Sequence, residues 1–117
     1  MDTETALLAL AALSQATRLD TFRLLVRHEP DGLPAGEIAR RIAVPQNTMS
    51  THLAVLTRAG LAVAERRSRS IVYRAALPQV RELVLFLLKD CCGGRSDLCE
   101  PLLADLIPCC PSPKVTP

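Results

Sequence analysis

Five cysteines, all downstream of residue 90, are the side chains in this 117-residue sequence best equipped for chemistry. Cys91 and Cys92 are adjacent, Cys99 lies seven residues further on, and Gly93 and Gly94 between them permit a chain reversal. Three sulfurs can then surround one small ion. Thiolates without a neighbouring imidazole suit a soft, thiophilic ion. Zinc ordinarily takes a fourth ligand in a closed tetrahedral site, whereas trivalent arsenic, with a lone pair in that place, takes three sulfurs in a pyramid. Cys109 and Cys110 offer a second pair, either a weaker site or incidental. Other readings remain open. Two thiols suffice to sense an oxidant or persulfide by forming a disulfide, or to hold an organic arsenical with one As–C bond. Free cysteines also pack simply as small hydrophobes.

A second group of residues points to nucleic acid. At 100° per residue, the stretch from Val44 to Leu61 places Met49, His52, Leu53 and Leu56 on one helix face, with Asn47, Thr51 and Arg58 opposite. The outer face carries Gln46, Asn47, Thr48, Ser50 and Thr51 rather than Glu/Lys pairs. Such side chains reach base edges and phosphates when a helix enters a major groove by its N-terminus. His52, turned inward, is expected to be a hydrogen-bonded structural residue. Upstream, residues 34–42 suit a short helix burying Ile38 and Ile42, with Pro34 in its first turn; Ala43-Val44-Pro45 suits a tight connection, and Pro45 also fits a first turn. Downstream, Gly60 stops the helix. Two strand candidates follow, 61–65 and 71–75, joined through Arg66, Arg67, Ser68, Arg69 and Ser70. Arg66, Arg67 and Arg69 sit at the tip, where guanidinium groups reach a minor groove or phosphates. The expected fold is mainly α with a β-hairpin wing, a winged helix-turn-helix.

From residue 51 onward, THLAVLTRAGLAVAERRSRSIVYRAAL resembles the ArsR/SmtB family of dimeric, metal-responsive bacterial repressors. Ser50, His52, Leu53, Leu56, Ala59-Gly60-Leu61, Val63, Arg67, Tyr73 and Arg74 stand where that family has its recognition-helix and wing pattern. The resemblance covers about residues 5 to 90. It implies a homodimer on double-stranded operator DNA and, since arsenic sensing through three cysteines is known in the family, As(III) or Sb(III) at Cys91, Cys92 and Cys99 as inducer. No organic cofactor is implied. Two departures stand out: residues 33–42 and the N-terminus lack the cysteines that many arsenic, cadmium or lead sensors carry there. Ser68 also replaces the Gly common at the wing tip, which suggests a wider tip.

The elements that must position these groups are helical. Residues 4–15 are apolar nearly all round, with Leu7, Leu8, Leu10 and Leu13 over more than one face, so a second subunit is expected to cover one side. Thr17 to Asp20 resembles a capping box opening a helix with Leu19, Phe22 and Val26 on one side, plus Leu25. His28 is expected near its end, at the surface. Pro78 is expected to start a last helix lined by Val80, Leu83, Val84 and Leu87. Pairing of the first and last helices about a two-fold axis implies a palindromic operator.

One domain is expected over residues 1–90, followed by a cysteine-containing inducer segment at 91–110 and a flexible tail at 111–117. The net charge of +2 conceals an asymmetry. Residues 34–74 hold seven Arg against Glu37 and Glu65, leaving −3 elsewhere, as counterion release from DNA requires. No apolar run is long enough to span a bilayer and no basic leader precedes Ala6, so a cytoplasmic protein with reduced thiols is expected. Thiol-enzyme chemistry is disfavoured, because neither Cys91 nor Cys92 has an Arg six positions on to cradle an anion.

Overall fold

Small residues, not leucines, seat the first helix. In the computed structural model, which describes residues 1–88, α1 spans Thr3–Leu13, and the Asp2 carboxylate caps it by accepting the Thr5 N–H at 2.9 Å. Its buried residues are Ala6, Ala9 and Ala12, one stripe at a spacing of three that lets α1 lie close against α2 and α4. Leu7 and Leu8 are 60% and 55% exposed, and Leu10 is exposed as well. Both faces are apolar, as expected. The alanine face packs within the chain and the leucine face looks outward.

α2 (Ala16–Arg27) begins almost at once. Its cap differs from the expected Thr17–Asp20 box: Gln15 takes the position and accepts the Arg18 N–H at 2.9 Å. Only Ser14 and Gln15 separate the two helices, so Thr17 already lies inside α2. Arg18 then donates from Nε to the Ala12 carbonyl at 2.7 Å, satisfying one of the free acceptors at the end of α1. The buried face of α2 is Thr21, Phe22, Leu24 and Leu25, while Leu19 and Val26, expected beside Phe22, are exposed. Thr21 is satisfied in the core by donating to the Thr17 carbonyl at 2.8 Å.

β1 (Leu33–Pro34) was not foreseen as a strand. Two residues carry too little pattern to be read alone, yet they pair antiparallel with β3, Leu33 opposite Tyr73 and Pro34 opposite Val72. Pro34 sits on the edge, where its missing N–H costs no ladder bond. It is also the N-cap of α3 (Ala35–Ile42), one position before the first turn. Ile38 is fully buried there and Ile42 half-buried. Ala43 adopts the left-handed conformation at φ 66°, ψ 48°, and its N–H and that of Val44 both close on the Ala39 carbonyl.

α4 (Gln46–Arg58) follows, with Pro45 likewise at the N-cap, and buries Met49, Leu53 and Leu56. It ends in a Schellman motif: Gly60 at φ 81° donates to the Thr57 carbonyl and Leu61 to that of Leu56, with Leu56 and Leu61 both fully buried. β2 (Ala62–Arg67) and β3 (Ser70–Ala75) form the hairpin, and the sheet order is β1-β3-β2. Arg67 pairs with Ser70, so the tip is a two-residue turn rather than a wider one. Ser68 takes φ 57° there, supplying the left-handed residue that a Gly would have given. α5 (Leu77–Leu88) starts one residue before Pro78 and buries Leu83. Met1–Leu83 forms one compact unit around Leu25, Ile38, Met49, Leu53, Leu56 and Leu61; residues 84–88 continue α5. No helix among the described residues is long and apolar enough to cross a membrane.

Candidate nucleic-acid interface

The sequence-predicted contacts of α4 all lie on its open side. Gln46, Asn47, Thr48, Ser50, Thr51 and Arg58 are exposed, while Met49, Leu53 and Leu56 face inward. Asn47, Thr51, Ala54 and Arg58 follow one another at helical spacing, and the small Ala54 leaves the middle of that stripe low. A helix with a low, polar ridge can seat deeply in a groove.

Local bonding separates these residues. Pro45 provides no side-chain cap, and Asn47 compensates by accepting the Thr48 N–H on Oδ1 at 2.9 Å. Asn47 as a whole stays exposed. Thr51 donates to the Asn47 carbonyl at 3.3 Å, whereas the hydroxyls of Thr48 and Ser50 have no partner among the described residues. Arg58, about 18 Å along the axis from Gln46 at 1.5 Å per residue, lies in a different neighbourhood. It lines a groove with Leu8, Ala12, Arg18 and Val55 at the opposite end of the helix.

His52 does not meet its expectation fully. It is half-buried on the inner side, but its Nδ1 is enclosed without a hydrogen-bond partner among the described residues. His28 caps α2 and is half-buried rather than at the surface; the Arg41 Nη1 lies 3.0 Å from its Nε2.

The wing arginines are likewise not equivalent. Residues 65 and 67 fall on one face of β2 and residue 66 on the other, by the alternation of a strand. Arg67 donates to Glu65 at 2.9 Å. Arg74, opposite Val63 in the register and on the same face, bonds Glu65 at 2.7 Å and Glu29 at 2.8 Å. Glu29 also accepts the Ala75 N–H at 3.0 Å, which ties the end of α2 to β3. Arg74 first, then Arg67, holds the Glu65 carboxyl below its ordinary range; Glu29 and Glu65 in turn hold Arg74 above its own. Arg40 and Arg41 are both bonded to Glu37. Of the seven Arg between residues 34 and 74, Arg58, Arg66 and Arg69 are therefore the ones free of an ion pair among the described residues. This ordering within the basic region could not be read from charge counts alone.

The cysteines expected to bind an inducer, Cys91, Cys92 and Cys99, and the pair Cys109 and Cys110, lie outside the described residues.

A short helix, a turn, a second helix exposed along a polar stripe and an adjoining hairpin make this a winged helix-turn-helix, a DNA-binding fold rather than that of an enzyme. Residues 13–66 match the family model described as a helix-turn-helix domain, HTH_20. The chain is 28% identical over 90 residues to the transcriptional activator HlyU of Vibrio cholerae, covering 77% of this chain and 81% of that protein. Among solved structures, it resembles the homodimeric winged helix-turn-helix domain of Mb0332 from Mycobacterium bovis, a possible ArsR-family regulator. That likeness has a TM-score of 0.61 at 26% identity and covers 73% of this chain and 77% of the other. It also resembles the transcriptional repressor BigR of Xylella fastidiosa, with a TM-score of 0.55 at 28% identity, over 70% of this chain and 83% of that one.

Proposed function

We propose that this protein is a transcriptional repressor of the ArsR/HlyU winged-helix type, binding a palindromic operator as a homodimer and releasing it when As(III), or the chemically similar Sb(III), is captured by Cys91, Cys92 and Cys99. The observation that carries DNA binding is the exposed polar ridge of α4 beside a wing bearing the unpaired Arg66 and Arg69. Gln46, Thr48, Ser50, Thr51 and the Asn47 amide face base edges; Arg66 and Arg69 take phosphates or the adjacent minor groove. Dimerisation is supported by the outward leucines of α1 and by the homodimeric relative Mb0332.

HlyU is named an activator and BigR a repressor, so the sign of control is a separate element of the reading. Inducer release rests on the thiol chemistry of the sequence. Ion capture beyond α5 favours a state with a different spacing of the two α4 helices, and a coupling of about 1–3 kcal/mol lowers DNA affinity roughly 5- to 150-fold. Arsenite capture balances as As(OH)3 + 3 Cys–SH giving As(S–Cys)3 + 3 H2O, the thiol protons leaving in water, so this response varies little with pH while the thiols are protonated, whereas a divalent cation displaces protons and binds more tightly as pH rises.

The test is fluorescence anisotropy on operator DNA with the reduced full-length protein, titrated with arsenite, antimonite, cadmium, zinc and an oxidant. Arsenite is expected to dissociate the complex. Cys91→Ser, Cys92→Ser and Cys99→Ser each keep DNA binding and abolish the response. Release that needs only two thiols and is reversed by dithiothreitol assigns a redox or persulfide signal instead; selective response to phenylarsine oxide assigns an organic arsenical.

A further inference from the structure

Glu65 is the one carboxylate on the wing, and it faces the same side of the hairpin as Arg67 and Arg74. Its two oxygens are divided between them: Oε1 accepts from Arg67 at 2.9 Å and Oε2 from Arg74 at 2.7 Å. The two bonds differ in what they hold. Arg74 has a second anchor in Glu29, through Nε at 3.3 Å and Nη2 at 2.8 Å, so the base of the wing stays tied to the end of α2 without Glu65. Among the described residues, Arg67 has Glu65 alone. It is also the last residue of β2, next to the two-residue tip and so within reach of any duplex that the tip touches.

We infer that Glu65 is a built-in brake on DNA affinity, holding Arg67 in an ion pair so that in the wild-type complex this arginine is largely withheld from the phosphates. The inference rests on the reading of the wing as a DNA contact and adds a specific competitor to it. An arginine that starts unpaired gains a phosphate and releases a counterion from the duplex. One that starts paired also breaks a hydrogen-bonded ion pair and leaves a carboxylate beside the DNA, so the net gain is smaller. Exposed pairs of this kind are individually weak, which makes the brake adjustable rather than absolute. The weakness suits a regulator that must also be released.

The test is a double-mutant cycle read as affinity and salt dependence on one 30-base-pair duplex, since phosphate contacts carry no sequence information. Glu65→Gln is isosteric and keeps a hydrogen-bonding oxygen for Arg74. It is expected to strengthen binding about 3- to 10-fold near physiological salt. It should also steepen the slope of log K against log salt by about 0.9 per subunit, the value of one added phosphate contact. In an Arg67→Gln background the same substitution should lose most of that gain and leave the slope unchanged. An equal gain in both backgrounds would mean that Glu65 acts only through its charge at a distance, and would overturn the inference. So would an unchanged slope in Glu65→Gln. Retention of the fold is checked by the amide spectrum, in which wing resonances must keep their dispersion. Wild-type protein that binds no duplex at low salt removes the parent reading together with this one, whereas wild-type binding with an unaltered Glu65→Gln removes this one alone.

Discussion

Gly32 shows how one residue fixes the wing. It lies at φ 77°, and a Cβ there would stand 2.7 Å from both the Arg74 Cγ and the Tyr73 carbonyl oxygen. Gly32→Ala therefore meets the left-handed penalty of about 1–2 kcal/mol and a backbone clash together. The expected result is a loss of at least about 2 kcal/mol in urea unfolding, with the largest amide shifts at Tyr73, Arg74 and Ala75. The carboxylates of the same region set the acid limit. Glu65, held low by Arg74 and then Arg67, and Glu37, held low by Arg41 and then Arg40, are ionised in the folded state below the pH at which the unfolded chain protonates them. The unfolded state then binds more protons, so stability rises with pH in that window. These groups contribute fully above the ordinary glutamate value of 4.5 and their contribution is lost as pH falls through the lowered folded values. Urea midpoints should be flat between pH 5 and 8 on their account and fall below 4.5, with a shallower fall in Glu37→Gln. At this scale the exposed and buried faces of α4 were legible in advance, because helical spacing alone puts Met49, Leu53 and Leu56 inward and the small polar residues outward. The inequality of Arg66, Arg67 and Arg69 was not, because it depends on Glu65 and on a register that composition does not record.

Among the elements, α1 repays the closest reading. Its abundance of leucine was legible as an excess of apolar surface, but which face serves the chain's own core was not. Hydrophobicity favours leucine inside, whereas close helix approach favours alanine, and here the packing of α1 on α2 and α4 decides. Two substitutions separate the faces. Ala9, fully buried, has no room for growth, and Ala9→Leu is expected to cost about 1–3 kcal/mol through overpacking. Leu8→Glu, on the outward face, is expected to keep the monomer folded, with an unchanged helical circular dichroism spectrum, while light scattering shows the molar mass halved. A Leu8→Glu protein that unfolds would place Leu8 in the core and contradict its exposure. β1 escaped notice for a related reason: a strand of two residues exists only through its pairing with β3, and no local pattern announces it. The tip of the wing was misjudged from the absence of Gly, although Ser68 tolerates the left-handed backbone that the tight turn needs.

For the whole molecule, the proposed reading head and the thiols occupy different stretches of chain, and sequence gives the spacing of the cysteines alone. The head makes a geometrical demand that can be measured without any inducer. On the proposed function, one α4 covers one half-site of a major groove, and a two-fold dimer sets two such helices on one side of the duplex about one helical turn, or 10 to 10.5 base pairs, apart. Selection of binding sites from a random pool should then return an inverted repeat with that centre-to-centre spacing. Inserting five base pairs at its centre turns the second half-site to the far side of the DNA and should reduce affinity towards that of a single half-site, whereas substituting central base pairs without changing length should matter far less. Phosphate contacts scale in the same way. Leu8→Glu, if it yields the monomer, should bind one half-site with roughly half the salt slope of the dimer, because each subunit brings its own Arg66 and Arg69. A wild-type protein whose selected site has no symmetry, or whose salt slope is unchanged by Leu8→Glu, would show that one subunit makes the whole contact and that the leucine face of α1 meets something other than a second copy.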